Sequence, residues 1–291
     1  MRTPHPGDGD PAGAGISAAP SGETRARLQS LEDLLESLGR VAVGFSGGVD
    51  SAFLAAVCER CIPERTLLVH LDNPLMGTPE RASFDLLRDR LNLPLEVVRF
   101  DPLRDSAIAA NGRDRCYRCK LAGFGLIADV ARRWGATCVV DGSNADDEGD
   151  FRPGMRALRE HRVRSPLMET GWRKSEEREL LRTWGFSMHD LPAGACLATR
   201  IACGEPLAPP ALDLIRSCED LLHERGFRQV RARLAGGCLQ IECAAEDLGG
   251  LEVQTSTVIA DLERIATPQG VAINPRFKPY AQGAMNDPSD A

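Results

Sequence analysis

Several absences narrow the reading of this 291-residue chain before any motif is considered. No apolar stretch approaches the roughly 18 residues that a membrane-crossing helix needs, so no membrane span is expected. The N-terminus has no basic segment leading into an apolar run, which argues against a secretory signal. The formal net charge is −7, so the broad basic footprint of a nucleic-acid-binding protein is missing, and nucleic acid is a disfavoured partner. The chain has one C-x-x-C and no second to complete a four-cysteine zinc site. What remains is an ordinary globular composition, 43% hydrophobic and 26% charged. Its ten cysteines, without a signal peptide, point to the cytoplasm and to reduced thiols, metal ligands or reactive groups rather than disulfides.

The most informative stretch is Arg40 to Ser51. The apolar run Val41-Ala42-Val43 leads into Ser46-Gly47-Gly48-Val49-Asp50-Ser51, and the apolar helix pattern Ala52-Phe53-Leu54-Ala55-Ala56-Val57 follows at once. This order reads as strand, tight glycine loop, helix. Such a loop aims backbone N–H groups and a helix N-terminus at an anion. Gly47 and Gly48 allow close backbone approach, and Ser46 and Ser51 add hydroxyl donors. Asp50 does not suit phosphate by charge, and is read as a Mg²⁺ ligand facing the phosphates. No Lys follows Gly48 and the G-x-x-x-x-G-K spacing is absent, so this is not a Walker A loop.

Along the chain, residues 1–23 are rich in Gly, Pro, Ala and Ser and are expected to be a disordered tail. An amphipathic helix is expected over 24–39. Strands are expected at 41–45, 66–71, 95–99 and 137–141, with helices at 51–60, 79–91 and 120–134 between them. The alternation implies an α/β fold, a doubly wound parallel sheet with helices on both faces. Its ligands would sit beyond the carboxyl ends of the strands. After the loop-like stretch from Pro192 to Pro210 the pattern changes: a helix at 210–225, strands at 227–233 and 238–243, a helix at 247–266 and a strand at 270–273. The expected division is therefore a nucleotide unit over 24–195 and a smaller α+β unit over 196–291, whose tail 275–291 should be irregular.

Three further constellations lie at that ligand edge. His70 and Asp72, just past the second strand, are placed to meet an adenosine. Asp141 to Asp150 carries five carboxylates in ten residues, a composition suited to Mg²⁺ or to the ribose and adenine, with Gly142, Asn144 and Asp146 as candidate contacts. Arginines 152, 156, 159, 162 and 164 follow, and some are expected to pair with these acids. Cys116-Tyr117-Arg118-Cys119-Lys120 sits at the mouth of the helix 120–134, where the helix N-terminus, Arg115, Arg118 and Lys120 would acidify a thiol. Cys196 is the third thiol and Cys203 a further candidate. Three thiolates on one iron–sulfur cluster would leave one iron free for an outside ligand. Cys58, Cys138, Cys218 and Cys243 read as small buried hydrophobes.

Taken together these motifs resemble the LarE-type ATP-dependent sacrificial sulfur transferases of the PP-loop ATP pyrophosphatase superfamily. The matching segments are Ser46–Ser51, Arg115–Lys120, Asp141–Asp147, Asp150–Gly154, Arg164–Leu167, Ala195–Arg200 and Gly283–Asn286, in order, over roughly residues 24–286. The chain departs from the family at Asn111-Gly112-Arg113-Asp114, where Asn-Pro-Pro is usual, and at Pro279-Tyr280-Ala281-Gln282, where Gly-Tyr-Arg-Ser is usual. The resemblance implies that a substrate carboxylate attacks the α-phosphate of ATP, releasing pyrophosphate, and that sulfur then displaces AMP to leave a thiocarboxylate. It implies a small-molecule substrate, a pyridinium dicarboxylate mononucleotide on the way to a nickel-pincer cofactor. It implies ATP and Mg²⁺, and sulfur drawn from a sacrificed cysteine or from a [4Fe-4S] cluster on Cys116, Cys119 and Cys196. By the same resemblance Arg200, Arg231 and Arg233 would receive the substrate phosphate, with Glu219 and Glu242 beside them, and a homo-oligomer is expected. A tRNA-thiolating or amide-forming PP-loop enzyme, or a redox-sensing nucleotide-binding protein, are the alternatives. The amide-forming reading leaves the three cysteines without a task.

Overall fold

The structure, a computed structural model, describes residues 21–147, 153–192 and 194–280. The expected disordered tail thus falls, for 1–20, outside the described residues, as do Glu148–Arg152, Ala193 and everything after Tyr280. In chain order the elements are α1 (Gly22–Ser37), β1 (Val41–Gly44), α2 (Val49–Cys61), β2 (Thr66–Asp72), α3 (Thr78–Arg90), β3 (Leu95–Arg99), α4 (Ser106–Ala109), α5 (Arg115–Trp134), β4 (Cys138–Val140), α6 (Pro153–Glu160), α7 (Pro166–Glu169) and α8 (Lys174–Thr183). Then follow α9 (Pro209–Glu224), β5 (Val230–Ala235), β6 (Cys238–Cys243), α10 (Leu248–Val253), α11 (Thr255–Ala266), β7 (Ala272–Ile273) and β8 (Lys278–Pro279).

The first sheet is parallel, in the order β3-β2-β1-β4, with Val41 opposite Thr66 on one side and Cys138 on the other. Side chains alternate across it. Val41 and Val43 pack with Leu31, Leu35 and the apolar face of α2, while Ala42, Leu67 and Val69 meet Ile127, Val130 and Ala131 of α5 on the opposite face. Burial on both faces explains why these strands are continuous apolar runs. The second sheet runs β5-β6-β7, with β8 also on β6. β5 and β6 are antiparallel across Gly236 and Gly237, both at positive φ, as a tight hairpin requires. Its core joins Leu212, Ile215 and Leu222 of α9 to Val230, Ala232, Ile241 and Leu262.

Three differences from the sequence reading matter. α1 starts at Gly22, because Ser21 Oγ accepts from Thr24 N–H at 3.0 Å and caps it. α5 starts at Arg115, five residues before its apolar pattern begins, because its first turns face the ligand edge and solvent rather than the core. Cys116 and Cys119 are therefore inside the helix, not ahead of it. α6 to α8 were not expected; α8 carries buried Leu180 and Leu181 against the α2 core. The expected helix 247–266 is broken at Gln254, and part of the tail forms β8.

Candidate functional site

The end of β1 turns into α2 through Ser46, Gly47 and Gly48. Gly47 has φ +83°, and a Cβ there would stand 2.9 Å from Phe84 Cβ, so both the turn and its packing demand glycine. Gly48 caps α2 with no side-chain hydrogen bond, leaving the first N–H groups of the helix open to an anion. The loop is braced from within and from outside. Ser46 Oγ and Ser51 Oγ lie 3.0 Å apart, Ser51 Oγ donates to Gly48 O at 3.0 Å, and Ser83 Oγ donates to Gly47 O at 2.6 Å. His70 Nδ1 donates to Phe45 O at 2.8 Å, and its ring stacks on Phe84 at 3.7 Å. Burial holds this imidazole below its usual range, so it is neutral, and the hydrogen bond to Phe45 fixes the proton on Nδ1.

This loop forms one wall of a cavity of about 480 Å³. Beneath the loop is an apolar slot of Gly44, Leu71, Phe100, Gly123, Phe124 and Ile127. Glycine makes the slot: a Cβ at Gly123 would stand 2.9 Å from Leu71 Cδ1, and one at Gly44 would stand 3.3 Å from Phe124 Cε1. The far wall carries Cys119, Lys120, Cys196, Arg200, Glu219 and Arg231. The cysteine segments meet through a polar strap. Asn111 Nδ2 donates to Ala202 O at 2.9 Å, and Arg115 Nη1 donates to Ala198 O at 3.0 Å and also to Asn111 Oδ1.

The expected site residues divide between cavity and support. Ser46, Gly47, Gly48, Asp50, His70, Cys119, Cys196, Arg200, Glu219 and Arg231 line the cavity. Ser51 is buried behind the loop. Asp72 is paired with Arg81 at 3.2 Å. Gly142 packs on the start of α2, where a Cβ would stand 2.9 Å from Ser51 N. Asp146 is occupied at the start of α8, accepting from Arg173 Nη1 and Lys174 N, each at 2.9 Å. Among the described residues, Arg156 pairs with Glu160 and Arg164 with Glu169. Arg233 is bonded to Glu242 at 3.0 Å and to Thr199 O at 2.8 Å, beside the cavity rather than lining it. Arg200 grips Glu219 through Nε at 2.9 Å and Nη2 at 3.2 Å, while Nη1 donates to Ala195 O at 2.9 Å and Thr199 Oγ1 at 3.1 Å. These contacts make Arg200 the residue that shapes the Cys196 loop. Arg231 lies over the Tyr280 ring at 5.4 Å.

Cys119 is not acidified as expected. Burial, reinforced by the neighbouring Cys196 and Cys116, pushes Cys119 up to about 12 despite the helix N-terminus, whereas Cys196 is exposed. Cys116 is exposed, and Arg115 Nη2 donates to its Sγ at 3.2 Å. Cys203 is exposed on the turn after Ala202 and does not line the cavity. Among the described residues no group of three or more His, Cys, Asp and Glu side chains is placed to hold a metal ion. Cys116 and Cys196 are both close enough to Cys119 to raise it.

Sequence reasoning missed Lys174 and Glu177 on α8. Lys174 Nζ lies 3.1 Å from Asp50 Oδ2. Glu177 is fully buried, accepts from Asn144 Nδ2 at 3.0 Å and shares a hydrogen bond with Asp50. Two carboxylates in contact need a proton between them. Burial first, then Asp50, pushes the Glu177 carboxyl up to about 9, so Glu177 carries that proton. The usable signal was Glu176, which accepts from Arg173 N–H at 3.1 Å as the third residue of a helix.

No family model matches the chain. Among curated proteins it is 29% identical to an uncharacterized protein of Synechocystis over 222 residues, 76% of this chain and 83% of the relative. It is 27% identical to the pyridinium-3,5-bisthiocarboxylic acid mononucleotide synthase of Lactiplantibacillus plantarum over 232 residues, 79% of this chain and 84% of that one. Over most of its length the chain resembles the LarE-type PP-loop proteins. A more distant likeness joins it to a probable tRNA sulfurtransferase of Methanobrevibacter smithii, 26% identical over 56% of this chain and 46% of the relative. It is an ATP-dependent enzyme of the sulfur-transferring branch of that superfamily.

Proposed function

We propose that this protein adenylates a carboxylate of a small phosphate-bearing acid, a pyridinium dicarboxylate mononucleotide, and converts it to a thiocarboxylate. The observation that carries the reading is that phosphate loop, base slot, thiols and Arg231 all open into one cavity. The relative from Lactiplantibacillus plantarum, named for a bisthiocarboxylic product, supports the substrate class.

The adenine of ATP enters the slot at Phe100 and Phe124, and the β- and γ-phosphates meet the N–H groups of Gly47, Gly48 and the first turn of α2. Asp50, with Lys174 beside it, suits a Mg²⁺ site of one carboxylate plus phosphates, and the ion would neutralise charge on those phosphates. A substrate carboxylate oxygen bonds to the α-phosphorus, the bridging P–O bond breaks, and pyrophosphate leaves. Arg231, stacked on Tyr280, receives the substrate's own phosphate. Cys196, after losing its thiol proton, bonds to the acyl carbon and AMP departs with the ester oxygen. Breaking the Cβ–S bond, with loss of the Cα proton, leaves dehydroalanine at 196 and a thiocarboxylate.

Incubating the protein with ATP, Mg²⁺ and pyridinium-3,5-dicarboxylate mononucleotide should give AMP, pyrophosphate and a thiocarboxylate. The protein should lose the mass of one H₂S, localised to Cys196 by peptide mass spectrometry. Folded protein that forms no AMP with this acid would sink the assignment.

A further inference from the structure

One carboxylate in the cavity has no part in adenylation or sulfur transfer. Asp50 faces Lys174, and Glu219 is held by Arg200. Glu80 is placed differently. It is half-buried in the first turn of α3 and lines the cavity. Among the described residues it makes no hydrogen bond and closes no ion pair. As the third residue of α3 it could reach back to the N–H of Gly77 and cap the helix, and no such bond is made.

Two glycines make room for this side chain. A Cβ at Gly77 would stand 2.5 Å from Glu80 Oε2, and one at Gly194 would press on Oε1 and stand 3.2 Å from Cδ. Gly77 immediately precedes α3, and Gly194 precedes Cys196 by two positions. The 75–80 and 194–197 segments therefore run side by side. At their other end Leu197 N–H donates to Leu75 O at 2.8 Å. Cys196 sits between those two contacts, so the carboxylate is fixed beside the segment that carries the thiol.

The helix sets the height of Glu80 in the cavity. One turn further along α3, Ser83 Oγ donates to Gly47 O, and Phe84 packs where a Cβ of Gly47 would stand. At about 1.5 Å per residue, Glu80 is roughly 5 Å along the axis from the phosphate loop, on the side of the thiol. Arg231 also lines the cavity. Burial first, then Arg200, holds Arg231 below the usual arginine range, and Glu80 is among the groups that pull it back up. The two opposite charges thus act on each other across the cavity without closing an ion pair at Glu80.

A half-buried carboxylate beside a neutral ring costs desolvation and gains nothing. Beside a cationic ring it gains a charge pair in a partly dry site. A pyridinium mononucleotide carries its positive charge on the nitrogen that bears the ribose, one ribose away from its phosphate. Its ring carboxylates lie meta to that nitrogen and point away from a group seated over it. Arg231 and Glu80 match this alternation of charge.

We propose that Glu80 sets specificity for the ring charge of the acid substrate, its carboxylate meeting the pyridinium nitrogen while Arg231 holds the phosphate. This rests on the pyridinium mononucleotide reading above, and it holds whichever thiol supplies the sulfur.

The test uses two probes that differ by one hydride and hence in ring charge. Nicotinamide mononucleotide is a pyridinium, and its 1,4-dihydro form is neutral; both carry the same ribose phosphate. Each is titrated by calorimetry into wild type and into Glu80→Gln, whose native circular dichroism is checked first. Wild type should bind the oxidised probe about tenfold more tightly, the scale of one contact between a carboxylate and a cation. Glu80→Gln should lose that preference, while its affinities for the dihydro probe and for MgATP change little. With the dicarboxylate mononucleotide, KM should rise about tenfold in the variant with kcat nearly unchanged. Equal affinity of wild type for the two probes, binding of neither, or a preference that survives Glu80→Gln would overturn the proposal. If wild type forms no AMP from the dicarboxylate mononucleotide, the acid is misassigned, and the two nicotinamide probes still decide the role of Glu80.

Discussion

At one end of the cavity the anion site is made by consecutive residues, Ser46 to Ser51, whose hydroxyls and backbone brace one another. At the other end the wall is made by Cys119, Cys196, Arg200, Glu219 and Arg231, drawn from α5, the 194–200 segment, α9 and β5. The first end works through bare N–H groups and forbids a Cβ at Gly47. The second works through buried charges, each held by an opposite charge or a carbonyl. Side chains around the loop can therefore change chemistry without disturbing the fold, whereas a change in the arginine wall reaches the fold first.

The sharpest way to break this contrast is Asp50→Asn. Asn preserves the shape beside Lys174 and Asn144 but removes the negative charge that faces the phosphates. Pyrophosphate release should fall about 10²–10³-fold, the scale of a lost electrostatic contact in a transition state, with the thermal midpoint nearly unchanged. A folded variant with ordinary turnover would mean that Asp50 is structural.

Arg200→Met should behave in the opposite way. The Arg200 and Glu219 side chains are 3% and 6% exposed, so removing one partner strands a buried charge. A loss of roughly 3–5 kcal/mol is expected in urea unfolding. The Cys196 loop, gripped through Ala195 O, should lose its fixed position, and the rate at which exposed Cys196 reacts with thiol reagents should change. A loss below about 1 kcal/mol, the range of an exposed pair, would place Arg200 with the phosphate-binding groups instead.

The smallest effect is a pH dependence at the junction of α2 and α8. The folded value of Glu177 is raised above its unfolded value, to about 9. Its contribution to stability is therefore complete below the ordinary carboxylate range and is lost progressively as pH rises toward 9. Between pH 5 and 8 the wild-type melting temperature should fall more steeply than that of Glu177→Gln, which keeps a donor toward Asp50 at every pH. Parallel curves for the two proteins would show that Asp50 and Glu177 do not share a proton.

The same contrast explains what could be read in the residues themselves. β1, the phosphate loop and α2 are specified locally, by an apolar run, two glycines and a second apolar run, and they fold as the pattern says. The start of α5 was hidden because its first turn serves the cavity and solvent, so no apolar period marks it. α8 was hidden because its buried face includes Glu177, a charged residue type that reads as surface. The raised Cys119 thiol was misjudged because the nearby cations and helix N-terminus are visible in sequence, while the burial that outweighs them is not. Arg200 looked like an anion ligand and proved to be committed to Glu219, a partner 19 positions away.

The loop after β2 has a consequence for how the molecule melts. Leu75, from the end of the nucleotide sheet, is 3% exposed and belongs to the core of the second sheet. Leu197 N–H donates to Leu75 O at 2.8 Å, Arg216 Nη2 to Pro74 O at 2.8 Å, and Thr78 Oγ1 to Asp220 Oδ2 at 3.0 Å. Loosening α9 strips Leu75 of its neighbours, and fraying β2 opens a hole beneath α9. The two cores are thereby stitched into one cooperative unit, and the cavity between them persists only while both are intact.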